Sequence, residues 1–418
     1  MRIIADLHIH SPYSRAVSRD MTLEHLDEWA RLKGITVIGT GDFTHPAWIK
    51  NIKETLEPAE PGLFKLKSRI RANAHARFML SVEISSIYAK HGRTRRVHSL
   101  VYVPSIVSAE KINDALGWRG NLKSDGRPIL GLDAMELAKI VFNTDPDAVV
   151  VPAHAWTPWF SVFGSMSGFD SLEECYEEFA PHIFAIETGL SSDPSMNWRC
   201  SFLDRIALLS NSDSHSLKRI GREANIFEAD LSYQGIMDAV KSRDPTRFLS
   251  TIEFFPEEGK YHYDGHRVCK FSCEPEETKR LKGLCPVCAK PVTVGVMSRV
   301  NILADRSPGE KPDRAVPFMN MVPLDEIIAE SFSVGPTSKR VMKEYQALVS
   351  RIGSEIRVLF EASAAELAAA TTPEVSEGIL RVREGRVQIT PGYDGEYGTI
   401  KIFREGEAAK VSLQSPLF

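Results

Sequence analysis

Apolar and polar positions alternate along residues 1–250 in a way that predicts strands and helices in turn. Short runs rich in Val, Ile and Leu are typical of buried strands, and longer stretches with apolar residues every three or four positions are typical of amphipathic helices. The strand-like runs are RIIADLHI, ITVIGTGDF, ARFMLSVEISS, VHSLVYV, AVVVPAHAW, IFAIETG and IALLSNSDSH, and TLEHLDEWARLKG is an early helix. This alternation predicts an α/β domain with a largely parallel sheet.

The rest of the chain has a different pattern. Residues 251–300 are rich in cysteine and predict a small zinc-binding insert, and ADRSPGEKPDRAVP after it is typical of a linker. LDEIIAES and KRVMKEYQALVSRI have helical periodicity, and RVQITPGYDGEYGTIKIF predicts two strands around a turn. We therefore predict domains at 1–250, 251–300 and 301–411, the last a mainly helical α+β domain, followed by a tail at 412–418.

Length and charge narrow the class of protein. A chain of 418 residues exceeds one typical core, which favours several domains. The formal net charge of -4 argues against a uniformly basic nucleic-acid-binding protein. No apolar run is long enough for a membrane span and the N-terminus lacks the order of a signal peptide, so we expect a cytoplasmic protein.

Histidine, aspartate and glutamate recur where the predicted strands end. His8 and His10 are two positions apart on an extended segment, so both side chains leave the same face. The other such residues are Asp42, His45, Glu83, His98, His154, Asp213 and His215. Because strand ends meet at one edge of an α/β fold, we expect these side chains to converge on a cluster of metal ions. Such a cluster activates water and polarises a phosphoryl oxygen, which predicts phosphoester hydrolysis.

The order of these residues resembles the polymerase and histidinol phosphatase (PHP) superfamily. H-x-H is followed by an Asp and a His, a Glu, two lone His residues and a final D-x-H. The resemblance implies a distorted β/α barrel over residues 1 to about 220, with these residues as metal ligands and Asp213 also catalytic. Two positions depart from the family pattern, since Arg15 stands where His or Asp is frequent and GDFTH replaces T-D-H. Asp42, His45 or both are therefore candidate ligands.

A longer series of motifs resembles the endonuclease Q family over nearly the whole chain. The motifs are DLHIHSPYS, GTGDFTHPAW, NLKSDGRPILGLDA, PAHAWTPWF, ETGLSSDPSMNWR, SDSHS, CPVCAKP and PGYDGEYG, in this order. The resemblance implies a metal-dependent DNA repair endonuclease that uses an activated water to cut 5′ to deaminated bases (uracil, hypoxanthine, xanthine) and abasic sites. It implies 3′-hydroxyl and 5′-phosphate ends, damaged DNA as the partner, and a place at the nucleoid.

Two other functions stay open at this point. A small-molecule phosphatase of the histidinol phosphatase type would use the same barrel, but the long segment after the cysteine insert would then have no evident purpose. A DNA-binding module with an inactive barrel would not need the complete ligand set. An ATP-driven helicase is excluded because no G-x-x-x-x-G-K-[ST] loop occurs.

Four of the six cysteines lie close together in the insert. Cys269, Cys273, Cys285 and Cys288 have C-x3-C and C-x2-C spacing, which suits a tetrahedral structural zinc site. His262 or His266 is an alternative to one thiolate, with Cys273 the thiolate to be replaced. For the barrel cluster, zinc, magnesium and manganese are all candidate ions.

Three further segments have candidate roles. Asp193 in GLSSDPSMNWR is a second catalytic candidate, against an ordinary Asp-Pro turn. An extruded base needs stacking surfaces and hydrogen-bond donors to its edge, for which Trp156, Trp159 and Phe160, or the loop 121–127, are candidates.

The C-terminal region adds two more candidates. ESFSVGPTSKRV resembles a degenerate helix-hairpin-helix in which the backbone at Gly335 would hold a DNA phosphate, against a plain helix-helix turn. Gln414, Leu417 and Phe418 in the final QSPLF resemble the peptide that binds the bacterial sliding clamp, which predicts the DNA sliding clamp as a partner.

Overall fold

The computed structural model describes residues 1–408 of the chain. Its strands are β1 (Arg2–Asp6), β2 (Val37–Gly39), β3 (Leu56–Pro58), β4 (Phe64–Leu66), β5 (Arg77–Lys90), β6 (Arg93–Val103), β7 (Ile129–Leu130), β8 (Val149–Pro152), β9 (Ala185–Glu187), β10 (Ala207–Leu209), β11 (Ala224–Glu228), β12 (Phe248–Phe254), β13 (Asp264–His266), β14 (Phe271–Cys273), β15 (Phe318–Met321), β16 (Gln388–Thr390) and β17 (Thr399–Lys401). Its α-helices are α1 (Leu23–Lys33), α2 (Pro46–Thr55), α3 (Ile106–Gly117), α4 (Ala134–Thr144), α5 (Leu172–Tyr176), α6 (Pro194–Asn197), α7 (Tyr233–Ser242), α8 (Pro275–Arg280), α9 (Val296–Leu303), α10 (Leu324–Ser331), α11 (Lys339–Ile352), α12 (Ala364–Ala370) and α13 (Pro373–Arg383).

The N-terminal strands form a distorted barrel, as predicted. Strand β1 lies between β11 and β2, and the sheet continues through β5 and β6 to β8. The parallel pair β9 and β10 closes the gap, because Ala155 N just after β8 donates to Glu187 O. On the other side, Ser210 after β10 exchanges hydrogen bonds with the Asn225 side chain of β11.

The expectation of a largely parallel sheet is wrong. Strands β5 and β6 pair antiparallel along their length, and β6–β8 and β1–β11 are also antiparallel. The cause is local: His91 and Gly92 join β5 to β6 with φ of 53° and 71°, the geometry of a two-residue hairpin turn. Strands joined by so short a loop cannot be parallel.

The interior of the barrel is filled from one end by alternate residues of its strands. Ile3 and Ala5 of β1, Tyr102 of β6 and Val149 and Val151 of β8 belong to one buried apolar cluster. Polar side chains continue these faces at the opposite end of the barrel, toward the carboxyl end of β1 and β8 but toward the amino end of the antiparallel β6, where His98 precedes Tyr102. That end is where the candidate ligands lie.

The surrounding helices follow local sequence signals. Thr22 caps α1 by accepting from His25 N, the apolar face of α1 is buried at Leu23, Leu26 and Ala30, and the helix ends at Gly34, whose φ is 89°. A left-handed C-terminal residue of this kind favours glycine. Among residues 1–408, no helix has both the length and the apolar character that crossing a bilayer requires.

The domain boundary predicted at residue 250 falls inside a strand. Strand β12 continues to Phe254, and β15, from the segment predicted as the C-terminal domain, pairs parallel to it. The chain therefore returns to the barrel sheet after the insert. Helices α10 to α13 follow β15, and the buried Lys33–Glu355 ion pair, 2.6 Å long, ties them to α1.

Candidate metal centre

The segment after β1 stays extended and brings two distant parts of the chain together. His10 N donates to Ser214 O and Ser214 N donates to His8 O, so residues 213–215 lie beside the H-x-H segment. Asp213 and His154 have positive φ values of 46° and 31°, as Asp42 does at 50°. Non-glycine residues held in this region are uncommon and concentrate at functional sites.

The first metal-binding group consists of His8, His10, Glu83 and Asp213. Nε2 of His10 lies 3.2 Å from Glu83 Oε2 and 3.1 Å from Asp213 Oδ1. Nε2 of His8 lies 3.6 Å and 3.5 Å from the same two oxygens. His8 and His10 follow β1, Glu83 lies within β5 and Asp213 follows β10. Of the four, only Asp213, with 25% of its side chain accessible, reaches the surface.

The second group consists of Glu83, His98 and His154. Nδ1 of His98 lies 2.7 Å from Glu83 Oε1, and Nε2 of His154 lies 3.0 Å from that oxygen. Glu83 thus presents one oxygen to each group and is the carboxylate that the two groups share. It is 1% exposed, in the middle of β5.

These residues fit bound divalent ions. Tetrahedral zinc with bonds of about 2.0 to 2.2 Å holds its ligand atoms about 3.3 Å apart, close to the separations found here. Nε2 of His8 is buried without a hydrogen-bond partner among the described residues, although it faces two carboxylates. Burial lowers the pKa of His98 to about 4 in spite of the Glu83 carboxylate beside it, so this imidazole is neutral at pH 7, as a metal ligand must be.

Two carboxylates outside the groups orient the histidines. Glu187 accepts from His8 Nδ1 at 3.0 Å and from the backbone N–H of His154 at 2.8 Å. Asp42 accepts from His10 Nδ1 at 3.1 Å and from Ser11 and Ser14. Burial raises the pKa of Asp42, but the His10 charge and these hydrogen bonds outweigh it and hold that pKa below its usual value. Such partners fix the tautomer of a ligating histidine.

The structure therefore divides the predicted ligands. His8, His10, Glu83, His98, His154 and Asp213 lie in the two groups. Asp42, His45 and His215 do not belong to either group. His45 precedes α2 and stacks on Tyr13 with 4.3 Å between ring centroids, and His215 donates from Nδ1 to the backbone oxygen of Asp213, its ring 4.7 Å from that of His10.

Sequence reasoning gave Glu187 no role, and it gave Arg127 one only as the last residue of the loop 121–127 considered for the base pocket. Glu187 ends β9, and its position at a strand end was the signal that could have assigned it. Arg127, in the loop before β7, donates from Nη1 to Glu83 Oε2 at 2.9 Å. Nothing in the local sequence around Arg127 indicates that contact, because Glu83 lies 44 positions away.

The geometry does not place Asp193 with the metal groups. Its Oδ1 accepts from Met196 N at 2.8 Å and from Ser195 Oγ at 2.7 Å, so the carboxylate caps α6. Burial raises its pKa. The Asp-Pro turn that was the alternative interpretation matches this geometry, whereas Asp213 lies directly in the first group.

A cavity of about 640 Å³ opens beside the metal groups. His98, His154 and Asp213 form one side of it, and its aromatic wall contains Trp159, Phe160, Tyr261 and Tyr397. Trp159 and Tyr261 meet edge to face with 5.3 Å between ring centroids. Trp156, predicted as a third stacking residue, is fully buried in the core instead, where its Nε1 donates to Asn197.

The cysteine site matches the alternative in which a histidine replaces Cys273, and not the set of four cysteines. Its members are His266, Cys269, Cys285 and Cys288, so His266 takes the place of Cys273. The hairpin register explains the difference, since His266 pairs with Phe271 at the turn and Cys273 pairs with Asp264 two positions further along, about 7 Å away. Cys273 contacts the Thr278 hydroxyl instead. His262 lies outside the group.

Both candidate roles in the C-terminal region stay predictions. Gly335 lies in the turn between α10 and α11, where Ser338 caps α11. Both the helix-hairpin-helix and the plain turn accommodate this arrangement, and phosphate binding there stays a prediction. Gln414, Leu417 and Phe418 lie outside the described residues, so clamp binding also stays a prediction.

The barrel and its two metal-binding groups define a protein of the PHP type. The crystal structure of the lesion-specific endonuclease PfuEndoQ from Pyrococcus furiosus is similar to this chain with a TM-score of 0.86 and 33% identity, over 100% of this chain and 98% of that one. Endonuclease Q in complex with a 27-mer duplex bearing an abasic lesion matches with a TM-score of 0.85 and 33% identity, over 100% and 99% of the two chains. The chain belongs to the endonuclease Q family.

Two further comparisons concern parts of the chain. Residues 323–386 match the family model described as the MJ0043 C-terminal domain. The protein MJ0043 of Methanocaldococcus jannaschii is 33% identical over 255 residues, which are 59% of this chain and 31% of that relative. The chain thus matches about a third of that relative's length.

Proposed function

We propose that this protein is a DNA repair endonuclease that hydrolyses the phosphodiester 5′ to deaminated bases and abasic sites. The observation that carries the proposal is the pair of metal-binding groups, joined by Glu83, at the edge of an aromatic-walled cavity of about 640 Å³. The full-length likeness to endonuclease Q, one structure of which holds duplex DNA with an abasic lesion, supports it.

The cavity has the features that an extruded nucleotide requires. Its volume is within the usual range for small-molecule sites, and its aromatic rings offer stacking surfaces for a base. Lys260 Nζ lies 5.2 Å from the centre of the Tyr397 ring and adds a positive charge at the same wall. Deaminated and mispaired bases cost less to unpair, so part of the selectivity arises before any contact in the cavity.

The residues of the site have separate roles in the proposed reaction. Bound divalent ions would supply an activated water and neutralise charge on the phosphate. The ions would be held by Glu83, which faces both groups, together with His8, His10, Asp213, His98 and His154. Glu187 and Asp42 keep the imidazole rings of His8 and His10 in the orientation that presents Nε2.

We propose zinc for both kinds of site. Each barrel group contains two imidazoles. Imidazole nitrogen suits zinc, whereas magnesium prefers all-oxygen ligands and retains its waters. In the insert, three thiolates and one imidazole form a closed tetrahedral set that suits structural zinc. Backbone N–H groups of Val287 and Cys288 offset the effect of burial and lower the pKa of Cys285 to about 7, which favours the thiolate. Because the substrate is chromosomal DNA, we propose that the protein acts at the nucleoid.

The test is denaturing-gel analysis of end-labelled duplexes with one uracil, hypoxanthine, abasic site or normal base. We expect one nick 5′ to each lesion for the wild type and for His182→Ala, which changes an exposed histidine away from the metal groups. We expect none for His8→Ala or Asp213→Ala. Intact strands with zinc, manganese and magnesium, together with phosphate release from small phosphomonoesters, would replace this proposal with the small-molecule phosphatase.

A further inference from the structure

The backbone around Arg127 is anchored beside the metal groups by its neighbours in the chain. Gly126 N donates to Tyr13 O at 3.0 Å, and Pro128 O accepts from Ser85 N at 3.0 Å. A Cβ on Gly126 would lie 2.3 Å from Asp42 Oδ2, so the backbone passes closer to the site than any other residue type allows. The backbone on both sides of Arg127 is thus fixed beside the site.

The guanidinium of Arg127 contacts the carboxylate that the two groups share. Its Nη1 donates to Glu83 Oε2 at 2.9 Å, the oxygen that belongs to the first metal group. The Arg127 side chain is 28% accessible whereas Glu83 is fully buried, so the guanidinium lies on the open side of the carboxylate. No other nitrogen of this guanidinium donates to a residue in the described part of the chain.

These features indicate that Arg127 is more than a counter-ion to Glu83. Ions bound in the two groups would neutralise Glu83 by themselves, and a counter-ion has no need of spare donors on its open side. A guanidinium carries a permanent charge and donors in a planar fork, which match two oxygens of a phosphate. Arg222 is the arginine that lines the cavity itself, but its Nε and Nη2 both donate to Ser212 O at 3.0 and 2.9 Å.

We propose that Arg127 binds a non-bridging oxygen of the scissile phosphodiester and stabilises the charge that develops there during hydrolysis. The proposal rests on the proposed function, because it assumes a DNA phosphate at the metal groups. In this proposal the Arg127 guanidinium supplies positive charge on the open side of the site, in addition to the charge of the bound ions. Preorganised donors of this kind act on the transition state without reorganisation.

The test compares two analogues of the scissile linkage in a uracil duplex. In one, methylene replaces the bridging 3′ oxygen, which preserves the negative charge and prevents cleavage. In the other, a methylphosphonate replaces the phosphate and removes the charge. Fluorescence anisotropy gives the dissociation constant for each duplex. We expect the ratio of the constant for the methylphosphonate duplex to that for the methylene duplex to be about tenfold or more smaller for Arg127→Gln than for the wild type. Arg127→Lys, which keeps the charge, should retain part of the discrimination.

The control is Arg119→Gln, which changes an exposed arginine of the same loop and should leave the ratio unchanged. Metal content of each variant is measured by elemental analysis. An unchanged ratio in metal-replete Arg127→Gln would overturn the proposal, and so would loss of metal from both Arg127 variants, because the arginine would then act on the metal groups. Wild-type protein that neither binds nor cuts lesion duplexes would instead refute the proposed function.

Discussion

Two buried carboxyl groups beneath the cavity make the stability of the barrel depend on pH. Glu253 is fully buried and Glu223 is 1% exposed. The antiparallel register of β11 and β12, in which Ala224 pairs with Ile252, places these two residues opposite each other on one face of the sheet. Thr251 and Thr188 donate to Glu253, and Oε2 of Glu223 has no hydrogen-bond partner in the described part of the chain.

Burial is the main cause of the raised pKa values of Glu253 and Glu223. It raises the pKa of Glu253 from 4.5 to about 8, against the two threonine hydrogen bonds and with help from the Asp193 charge. It raises the pKa of Glu223 as well, with the Glu253 charge as the next cause. The folded protein therefore binds protons that the unfolded chain releases above pH 4.5, and stability falls as the pH rises from that value through about 8.

The slope is about 1.4 kcal/mol per pH unit for one proton, which accumulates to about 4 kcal/mol by pH 8. Glu253→Gln mimics the protonated acid and has no charge to bury. We expect it to match the wild type near pH 5 and to exceed it in stability above pH 7, by an amount that grows with pH.

Urea unfolding followed by circular dichroism between pH 5 and pH 9, with metal content monitored, measures this difference. Glu178→Gln, at an exposed position, is the control and should follow the wild type throughout. The reasoning is refuted if the stability difference between Glu253→Gln and the wild type stays constant across this pH range, because a charge-independent effect of the amide would then be its cause.

Three further changes test other contacts. Lys33→Met should destabilise the protein by about 3 to 5 kcal/mol in urea unfolding, because it leaves the Glu355 carboxylate buried without its counter-ion. The double variant Lys33→Met with Glu355→Leu should recover most of the loss. Equal stability of the wild type, Lys33→Met and the double variant would contradict this. Glu187→Ala should weaken zinc binding in the barrel by about 10 to 100-fold in a chelator titration, because the His8 imidazole loses its orienting acceptor; unchanged affinity would show that this contact has no influence on the ions. His266→Ala should lower the zinc content of the insert and Cys273→Ala should not, and the reverse result would restore the all-cysteine site.

Sequence reasoning succeeded where the relevant geometry is local. His8 and His10 share a face because an extended backbone alternates its side chains, whatever lies around it. The cap at Thr22 and the glycine at Gly34 mark the ends of α1 through contacts within a few residues. The types of residue expected at the metal groups were likewise readable in order along the chain.

It failed where two distant segments decide the outcome. The role of Asp42 depends on which side of His10 it meets, and the role of Glu187 depends on the approach of β9 to β1. The sequence left open whether Cys273, His262 or His266 completes the cysteine site, because the hairpin register, and not the spacing of the thiolates, sets which side chains reach the cysteines near the turn. In each case the deciding distance is between atoms that the local pattern does not relate.

By itself, the sequence determined the types of residue in the metal groups and the presence of a site of cysteines with a candidate histidine, and its resemblance to a known superfamily implied the barrel. Only the tertiary structure decided that Glu83 faces both groups, that Asp42 and Glu187 orient histidines, and that Arg127 reaches the shared carboxylate. The physical reason is that strand and helix patterns arise from contacts between near neighbours. A multi-ligand centre requires separations of about 3 Å between residues far apart in the chain, which packing of the whole barrel sets.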